Sequence, residues 1–200
     1  MVKRSKVEEY RTNQKKRGIA AVKVKENDGV LFVHLCKDEE NLLLLSNQGN
    51  SIRFTFDEVQ MTGRNTAGVR GMKLEDEDEV GYSFPLHEED GRLIQLITKE
   101  GVVKRTAVNQ ISNQGRGGKG SPLIRRRKVQ PHQIIMAFIE QDFQYRLIGL
   151  TIQEQEVMLD WMKFSSELTV NDPGSIGRNQ LNLTFGEELK KIRLEPRIEV

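Results

Sequence analysis

The chain has 200 residues, of which 36% are hydrophobic and 30% are charged, and its formal net charge is +2. That length predicts one or two domains. No run of ~18 apolar residues occurs, which excludes an ordinary transmembrane helix, and no apolar segment follows the basic start, so we expect no secretory signal. A single cysteine, Cys36, excludes a disulfide framework and a typical structural zinc cluster. We expect a cytoplasmic protein with no cofactor, no bound metal and no membrane partner.

Three parts of the chain have the pattern of a β-hairpin. Residues 41–56, 93–105 and 145–164 each contain two runs of β-forming residues separated by a short polar or glycine-containing turn. An apolar run at residues 30–35 is a further strand candidate. Long stretches with apolar residues at helical spacing are not evident. The sequence therefore predicts an all-β protein.

The hairpins recur with a period near 50 residues. Gly49 and Gly101 are 52 residues apart, and so are Arg53 and Arg105. A period near 50 with four strands per unit is typical of propeller-like blades. We therefore predict a propeller-like or related array of four-stranded antiparallel blades in a single repeat domain. Its units are a partial blade at 1–40 and blades at 41–92, 93–144 and 145–200.

The partial blade lacks a strand. Residues 2–4 correspond to the second strand of a hairpin, and the sequence contains no first strand ahead of them. We therefore expect either that the chain is a fragment of a longer protein or that a strand from elsewhere completes this blade. Each unit should pack against its neighbours, because a single unit cannot bury the apolar face of its own sheet.

Positive charge is concentrated in two blocks. Residues 1–25 carry nine basic and two acidic residues, and residues 101–130 carry eight basic residues and no acidic one. A glycine-containing basic loop follows the second hairpin strand in successive units, at residues 14–18, 62–68 and 114–120. Glycine lets a polyanion approach the backbone, and arginine and lysine bind phosphates. A plain turn is the alternative for any one loop, but the recurrence favours duplex DNA binding around a basic rim.

These motifs resemble a known family. Residues 103–106 followed by 114–120, and residues 51–54 followed by 63–72, are similar to the carboxy-terminal domain of the DNA gyrase A subunit. The resemblance covers residues 2–145 and thins over 145–200, where Gly177-Arg178-Asn179 is the best anchor. Position 115 is glycine where the family's principal box prefers arginine, so the chain resembles the later blades of that domain.

The resemblance implies a β-pinwheel that binds and bends or wraps duplex DNA without catalysis, as part of a type II topoisomerase that controls supercoiling. It also implies three partners, namely double-stranded DNA, the remainder of the gyrase A subunit, and the gyrase B subunit. A nucleoid-associated location follows from the same resemblance. No catalytic residues are expected in this chain. The candidate DNA-binding residues lie on the basic loops and the adjoining strands. They are Lys3, Arg4, Lys15, Lys16, Arg17, Arg53, Arg64, Arg70, Lys104, Arg105, Gln114, Arg116, Gly117, Gly118, Lys119 and Gly120.

Alternatives remain open. The equivalent domain of the topoisomerase IV A subunit belongs to the same class, whereas a protein-interaction propeller with an acidic partner belongs to another. A hydrolase is a distant third. The corresponding loop of the last unit, residues 171–174, carries no basic residue. We therefore expect DNA contacts on the first three units and few on the fourth.

Overall fold

The computed structural model describes residues 1–13, 18–38, 40–87, 89–127, 129–140, 145–159, 170–179, 181, 183 and 186–196. Within these ranges no helix is long and apolar enough to cross a membrane. Short 3-10 helices lie at Val7–Tyr10, Phe56–Glu58 and Val108–Gln110. The strands are β1 Asn41–Ser46, β2 Asn50–Thr55, β3 Val80–Leu86, β4 Leu93–Thr98, β5 Val102–Ala107, β6 Ser121–Pro122, β7 Ile134–Ile139, β8 Tyr145–Thr151, β9 Glu156–Leu159, β10 Arg178–Asn179 and β11 Leu189–Pro196.

The strands form three antiparallel sheets. Their strand orders are β3-β1-β2-β6, β10-β5-β4-β7 and β11-β8-β9. The three predicted hairpins are β1-β2, β4-β5 and β8-β9. The turns of the first two hairpins contain Gly49 and Gly101. Their φ angles of 91° and 78° lie in the left-handed region that glycine adopts readily. The prediction of an all-β fold with four-stranded antiparallel sheets is confirmed.

Two of the sheets take their fourth strand from the following unit. Strand β6 lies in predicted unit 93–144 and pairs with β2 of unit 41–92. Strand β10 lies in unit 145–200 and pairs with β5 of unit 93–144. Neighbouring units are therefore joined by main-chain hydrogen bonds as well as by packing, and a unit does not complete its own sheet.

The internal repeat is visible in the backbone hydrogen bonds. The carbonyl of an arginine on the second hairpin strand accepts a bond from the first residue of the next unit's loop. The three instances are Arg4 with Thr62 at 2.9 Å, Arg53 with Gln114 at 2.7 Å and Arg105 with Asn171 at 3.0 Å. The loops that begin at residues 62, 114 and 171 are therefore equivalent.

This equivalence agrees with the expectation that residues 171–174 are the corresponding loop of the last unit. Arg178 and Asn179 form β10, which corresponds in position to β6 and not to the loop that begins at residue 62. Residues 63–65 and residues 177–179 both read Gly-Arg-Asn, but they do not occupy equivalent positions. The tertiary pairing shows this, because it aligns residue 171 with residue 62.

The sheets pack face to face. One core contains Leu43 and Leu45 of β1 together with Ile94 and Leu96 of β4. A second core joins the second and third sheets. All six residues of β1 are buried, because both faces of the strand are covered. A strand of this kind shows a continuous apolar run rather than alternation.

Residues 30–35 do not form the expected strand. The segment carries no strand assignment, and most of its apolar side chains are exposed. A strand needs hydrogen-bonding neighbours, and within the described ranges no strand pairs with this segment. The apolar run is therefore not part of any sheet in the described part of the chain.

Candidate nucleic-acid interface

The loop at residues 114–120 lies across the boundary between two units. The Gly117 N–H donates to the carbonyl of Gly71 at 2.8 Å, and the Lys73 N–H donates to the carbonyl of Gly118 at 2.8 Å. The Gln114 side chain donates to the Ser121 hydroxyl at 2.9 Å. The loop is thereby held on the surface of unit 41–92 by bonds in both directions.

Arg116 holds this loop in place. Its backbone N–H donates to the Glu58 carboxylate at 2.8 Å, and its Nε donates to the Glu58 carbonyl at 3.1 Å. Its Nη1 donates to the carbonyl of Arg70. Arg116 is half-buried, while Arg70, Lys73 and Lys119 around it are exposed. Four cations from two units therefore lie in one neighbourhood, and three of them face solvent.

Gly120 is required by the backbone. Its φ is 71°, and a Cβ at this position would lie 2.3 Å from the carbonyl oxygen of Ser51. We expect Gly120→Ala to lower the free energy of unfolding by about 2–3 kcal/mol, because it combines left-handed strain with a backbone clash. Urea unfolding measures this. Gly115→Ala in the same loop is the control, because its Cβ meets nothing within 4 Å. Equal stability of the two variants would contradict the expectation.

The loop at residues 62–68 repeats this arrangement. Arg64 Nη1 donates to the carbonyl of Ala20 at 2.9 Å, as Arg116 does to Arg70 fifty residues further along the chain. Arg64 is half-buried, like Arg116. The arginine of each loop therefore holds it on the preceding unit.

Three cations occupy equivalent positions beside these loops. Each donates its backbone N–H to the loop of the following unit. The bonds are Lys23 to Thr66 at 3.1 Å, Lys73 to Gly118 at 2.8 Å and Arg125 to Ser175 at 3.0 Å. All three side chains are exposed, and none forms an ion pair within the part of the chain that the structure describes. Lys23, Lys73 and Arg125 are called the repeated cations below.

Sequence reasoning missed the repeated cations. They are spaced by 50 and 52 residues, which is the period already evident in the hairpins. The signal was therefore present in the sequence. The spacing was hard to notice because each of the three residues lies a few positions after a basic loop. No local sequence feature distinguishes these cations from the other basic residues nearby.

Arg53 and Arg105 lie inside the sheets, which corrects their assignment as DNA contacts. Arg53 is 3% exposed and donates to the carbonyls of His87 at 3.0 Å and Val108 at 3.2 Å. Arg105 is 8% exposed and forms a two-bonded ion pair with Glu140 at 2.6 and 2.8 Å. Both side chains are largely buried and bonded within the fold, so we assign them a structural role.

Lys104 is also buried, and the same correction applies. It is 1% exposed, and its Nζ donates to the carbonyls of Leu123 at 2.5 Å, Asp172 at 2.9 Å and Ser175 at 3.2 Å. Burial lowers the pKa of the Lys104 ammonium to about 8. The side chain joins unit 93–144 to the loop of the last unit, and it does not face solvent.

The remaining predicted cations fall into three groups: two that have partners within the fold, two that are exposed, and three that lie outside the described residues. Lys3 donates to the Ser5 hydroxyl at 2.6 Å and to the Ala21 carbonyl at 3.3 Å. Arg4 is half-buried and lies 3.8 Å from Asp38. Arg70 and Lys119 are exposed. The last group, Lys15, Lys16 and Arg17, lies outside the described residues.

The loop of the last unit occupies the equivalent place without equivalent charge. The Gly174 N–H donates to the Leu123 carbonyl at 3.2 Å, as Gly117 does to Gly71. The loop has Pro173 at the position of Arg64 and Arg116, and its one charged residue, Asp172, is acidic. The repeated positive charge therefore does not extend to this loop.

The chain matches a family model described as DNA gyrase C-terminal domain, beta-propeller, over residues 1–37, 40–80 and 96–132. It is 38% identical over 122 residues to the A subunit of DNA gyrase from Mycolicibacterium smegmatis, covering 60% of this chain and 14% of that protein. It is 28% identical over 138 residues to the A subunit of DNA topoisomerase 4 from Bacillus subtilis, covering 69% of this chain and 17% of that protein. The chain thus spans less than a fifth of the length of these relatives.

Solved structures share the fold. The C-terminal domain of DNA topoisomerase IV superposes with a TM-score of 0.79 at 21% identity, covering 98% of this chain and 59% of that one. The DNA gyrase A C-terminal domain superposes with a TM-score of 0.61 at 20% identity, covering 88% and 57%. Since the family model matches more than half of the sequence, this chain belongs to the DNA gyrase C-terminal β-propeller domain family.

Proposed function

We propose that this chain binds duplex DNA without catalysis and bends or wraps it, as the C-terminal domain of a gyrase A subunit that controls DNA supercoiling. The observation that carries the proposal is the recurrence of the repeated cations, Lys23, Lys73 and Arg125, at equivalent exposed positions on successive units. One cation per unit presents positive charge at regular intervals. A duplex offers phosphates at regular intervals, so the two patterns are complementary.

The contacts are with phosphates rather than base edges. The exposed cations Arg70, Lys73 and Lys119 lie on loops and strand ends, and no described helix longer than one turn is available to enter a major groove. Phosphate contacts position a protein on DNA but carry no sequence information. Binding is therefore tolerant of sequence, and discrimination comes from the ease with which a given duplex bends.

The proposed partners follow from the family. They are double-stranded DNA, the remainder of the gyrase A subunit, and the gyrase B subunit. The higher identity to the Mycolicibacterium gyrase, 38% against 28% for the Bacillus topoisomerase, supports gyrase. The topoisomerase IV domain gives the larger TM-score of the two structures, which keeps topoisomerase IV as the alternative. The DNA-binding proposal is the same for either.

The experiment is ligation of a nicked plasmid in the presence of the chain, followed by removal of protein and a topoisomer gel. We expect a shift in linking number that grows with protein concentration and vanishes at high salt, since phosphate contacts are screened by salt. Retardation of a short duplex without a linking-number shift would support binding and contradict wrapping. If the chain causes neither a linking-number shift nor retardation, the proposal is contradicted, and an acidic protein partner for the basic loops is favoured instead.

A further inference from the structure

The loop at residues 114–120 is bound to a carboxylate of the chain itself. The Arg116 backbone N–H donates to the Glu58 carboxylate at 2.8 Å. This carboxylate forms no ion pair with a side chain within the described residues, and Glu58 is exposed. A hydrogen bond from an N–H group to a carboxylate is stronger than one to a neutral acceptor. An exposed anion therefore occupies one main-chain donor of a loop that is otherwise basic.

The neighbouring main-chain donors of this loop are unoccupied. The N–H groups of Gly115, Gly118 and Lys119 donate to no group within the part of the chain that the structure describes, and all three residues are exposed. A Cβ at Gly115 would meet nothing within 4 Å, so the backbone there is uncovered. Consecutive N–H groups around a residue with positive φ, here Gly117 at 82°, form a concave site for an anion. The loop therefore offers more donors than the Glu58 carboxylate uses.

The last unit provides an internal comparison for this contact. Gln110 and Pro173 occupy the positions of Glu58 and Arg116, because the short helix after β5 and the loop that begins at residue 171 are equivalent to those of the preceding unit. Proline has no N–H group, and the Gln110 Nε2 donates instead to the Asp172 carboxylate at 3.4 Å. An acid therefore accompanies the loop that can donate a main-chain hydrogen bond at this position, and a neutral amide accompanies the loop that cannot.

We propose that the main-chain N–H groups of residues 115, 116, 118 and 119 form a phosphate site, which the Glu58 carboxylate occupies in the free chain as an internal competitor. A phosphate of the DNA backbone displaces this carboxylate and accepts hydrogen bonds from the Arg116 N–H and its unoccupied neighbours. The exposed cations Lys73 and Lys119 supply positive charge beside the site. The inference rests on the proposed DNA binding, and it adds that Glu58 limits the affinity for the duplex.

Glu58→Gln in the full chain tests the proposal. Glutamine still accepts a hydrogen bond from the Arg116 N–H but carries no charge, so the loop keeps its support while the competitor becomes weaker. We expect the affinity for a labelled duplex, measured by fluorescence anisotropy, to rise about tenfold. Asp57→Asn is the matched control. Asp57 is an exposed acid beside Glu58 whose carboxylate accepts from the Thr55 hydroxyl, and its replacement should raise the affinity by about twofold at most.

Two results of the DNA titration would overturn the proposal. Equal gains in affinity for Glu58→Gln and Asp57→Asn would show a general effect of negative charge near the duplex. A loss of affinity in Glu58→Gln would show that Glu58 positions the loop for DNA and does not compete with it. Urea unfolding of both variants should match that of the parent chain, because both side chains are exposed.

A titration with inorganic phosphate separates this proposal from the proposed function. The backbone amide signal of Arg116 in proton–nitrogen NMR spectra should shift saturably with phosphate, and sodium chloride at the same ionic strength should not reproduce the shift. The midpoint should lie at an about tenfold lower phosphate concentration in Glu58→Gln than in the parent chain. Equal midpoints, or no shift in either chain, would overturn the proposal. Failure of the parent chain to bind duplex DNA would contradict the proposed function, and the phosphate titration would still decide whether Glu58 occupies an anion site.

Discussion

Replacing the repeated cations Lys23, Lys73 and Arg125 with alanine is expected to weaken duplex DNA binding about 100-fold near 100 mM salt. Three phosphate contacts at about 1 kcal/mol each account for a loss of that size. The slope of log K against log salt should become shallower by about 3, because each lost phosphate contact removes about 0.9 from it. Fluorescence anisotropy of a labelled duplex at several salt concentrations measures both quantities.

The control removes the same charge away from the repeat. Lys6, Arg11 and Lys191 are exposed cations that do not occupy the equivalent positions. Replacing all three with alanine should change the affinity for duplex DNA only slightly. The slope of log K against log salt should stay close to that of the parent chain. If the two triple variants lose affinity equally, binding depends on overall charge and the repeated cations have no special role. Neither triple variant should alter urea unfolding, because all six side chains face solvent.

Lys104→Met is expected to destabilise the chain by about 3 kcal/mol at pH 7. Methionine fits the volume but cannot donate to the carbonyls of Leu123, Asp172 and Ser175. Each buried carbonyl left without a donor costs about 1–3 kcal/mol of folding free energy. The loss from three such carbonyls exceeds the gain from no longer burying the Lys104 charge. Urea unfolding measures the change. Lys119→Met removes an exposed cation and should leave stability unchanged; equal effects of the two substitutions would contradict the structural role of Lys104.

Lys104 also predicts a pH dependence of stability. Its pKa is lowered by burial to about 8 in the folded chain, against an ordinary value of 10.5. Between these pH values the unfolded chain binds more protons at this site than the folded chain, so stability rises with pH, by about 3 kcal/mol at most from this group. Burial raises the pKa of Tyr82 to about 12, which lowers stability above about pH 10.

Unfolding of the parent chain and of Lys104→Met at pH 7, 8, 9 and 10 separates these contributions. The parent chain should gain stability between pH 8 and pH 10, and the variant should lack that gain. Parallel pH profiles for the two chains would show that Lys104 does not titrate in this range. Tyr82 remains in both chains, so its effect cancels in the comparison.

The hairpins could be recognised from local signals. The turns at Gly49 and Gly101 lie between runs of β-forming residues, and this pattern acts over a few residues without help from the rest of the chain. The period near 50, and with it the family and the all-β class, followed from the same local signals. The third hairpin, β8-β9, was recognisable in the same way.

The pairings between units had no comparable signal. Strands β6 and β10 are two residues long, and each forms only because a strand of the preceding unit lies beside it. Residues 30–35 show the opposite case. That run has strand-like composition, but it remains unpaired because strand formation requires neighbours.

The sequence alone established that arginine and lysine recur with the hairpins, but the tertiary structure decided which of them are exposed. Arg53, Lys104 and Arg105 lie on strands whose two faces are both covered by neighbouring units, and they are buried. Lys23, Lys73 and Arg125 carry the same charge and are exposed, because their backbones bind the adjacent loops while their side chains point outward. Burial is a property of the stack of sheets and not of any one unit, so composition and spacing could not distinguish the two sets.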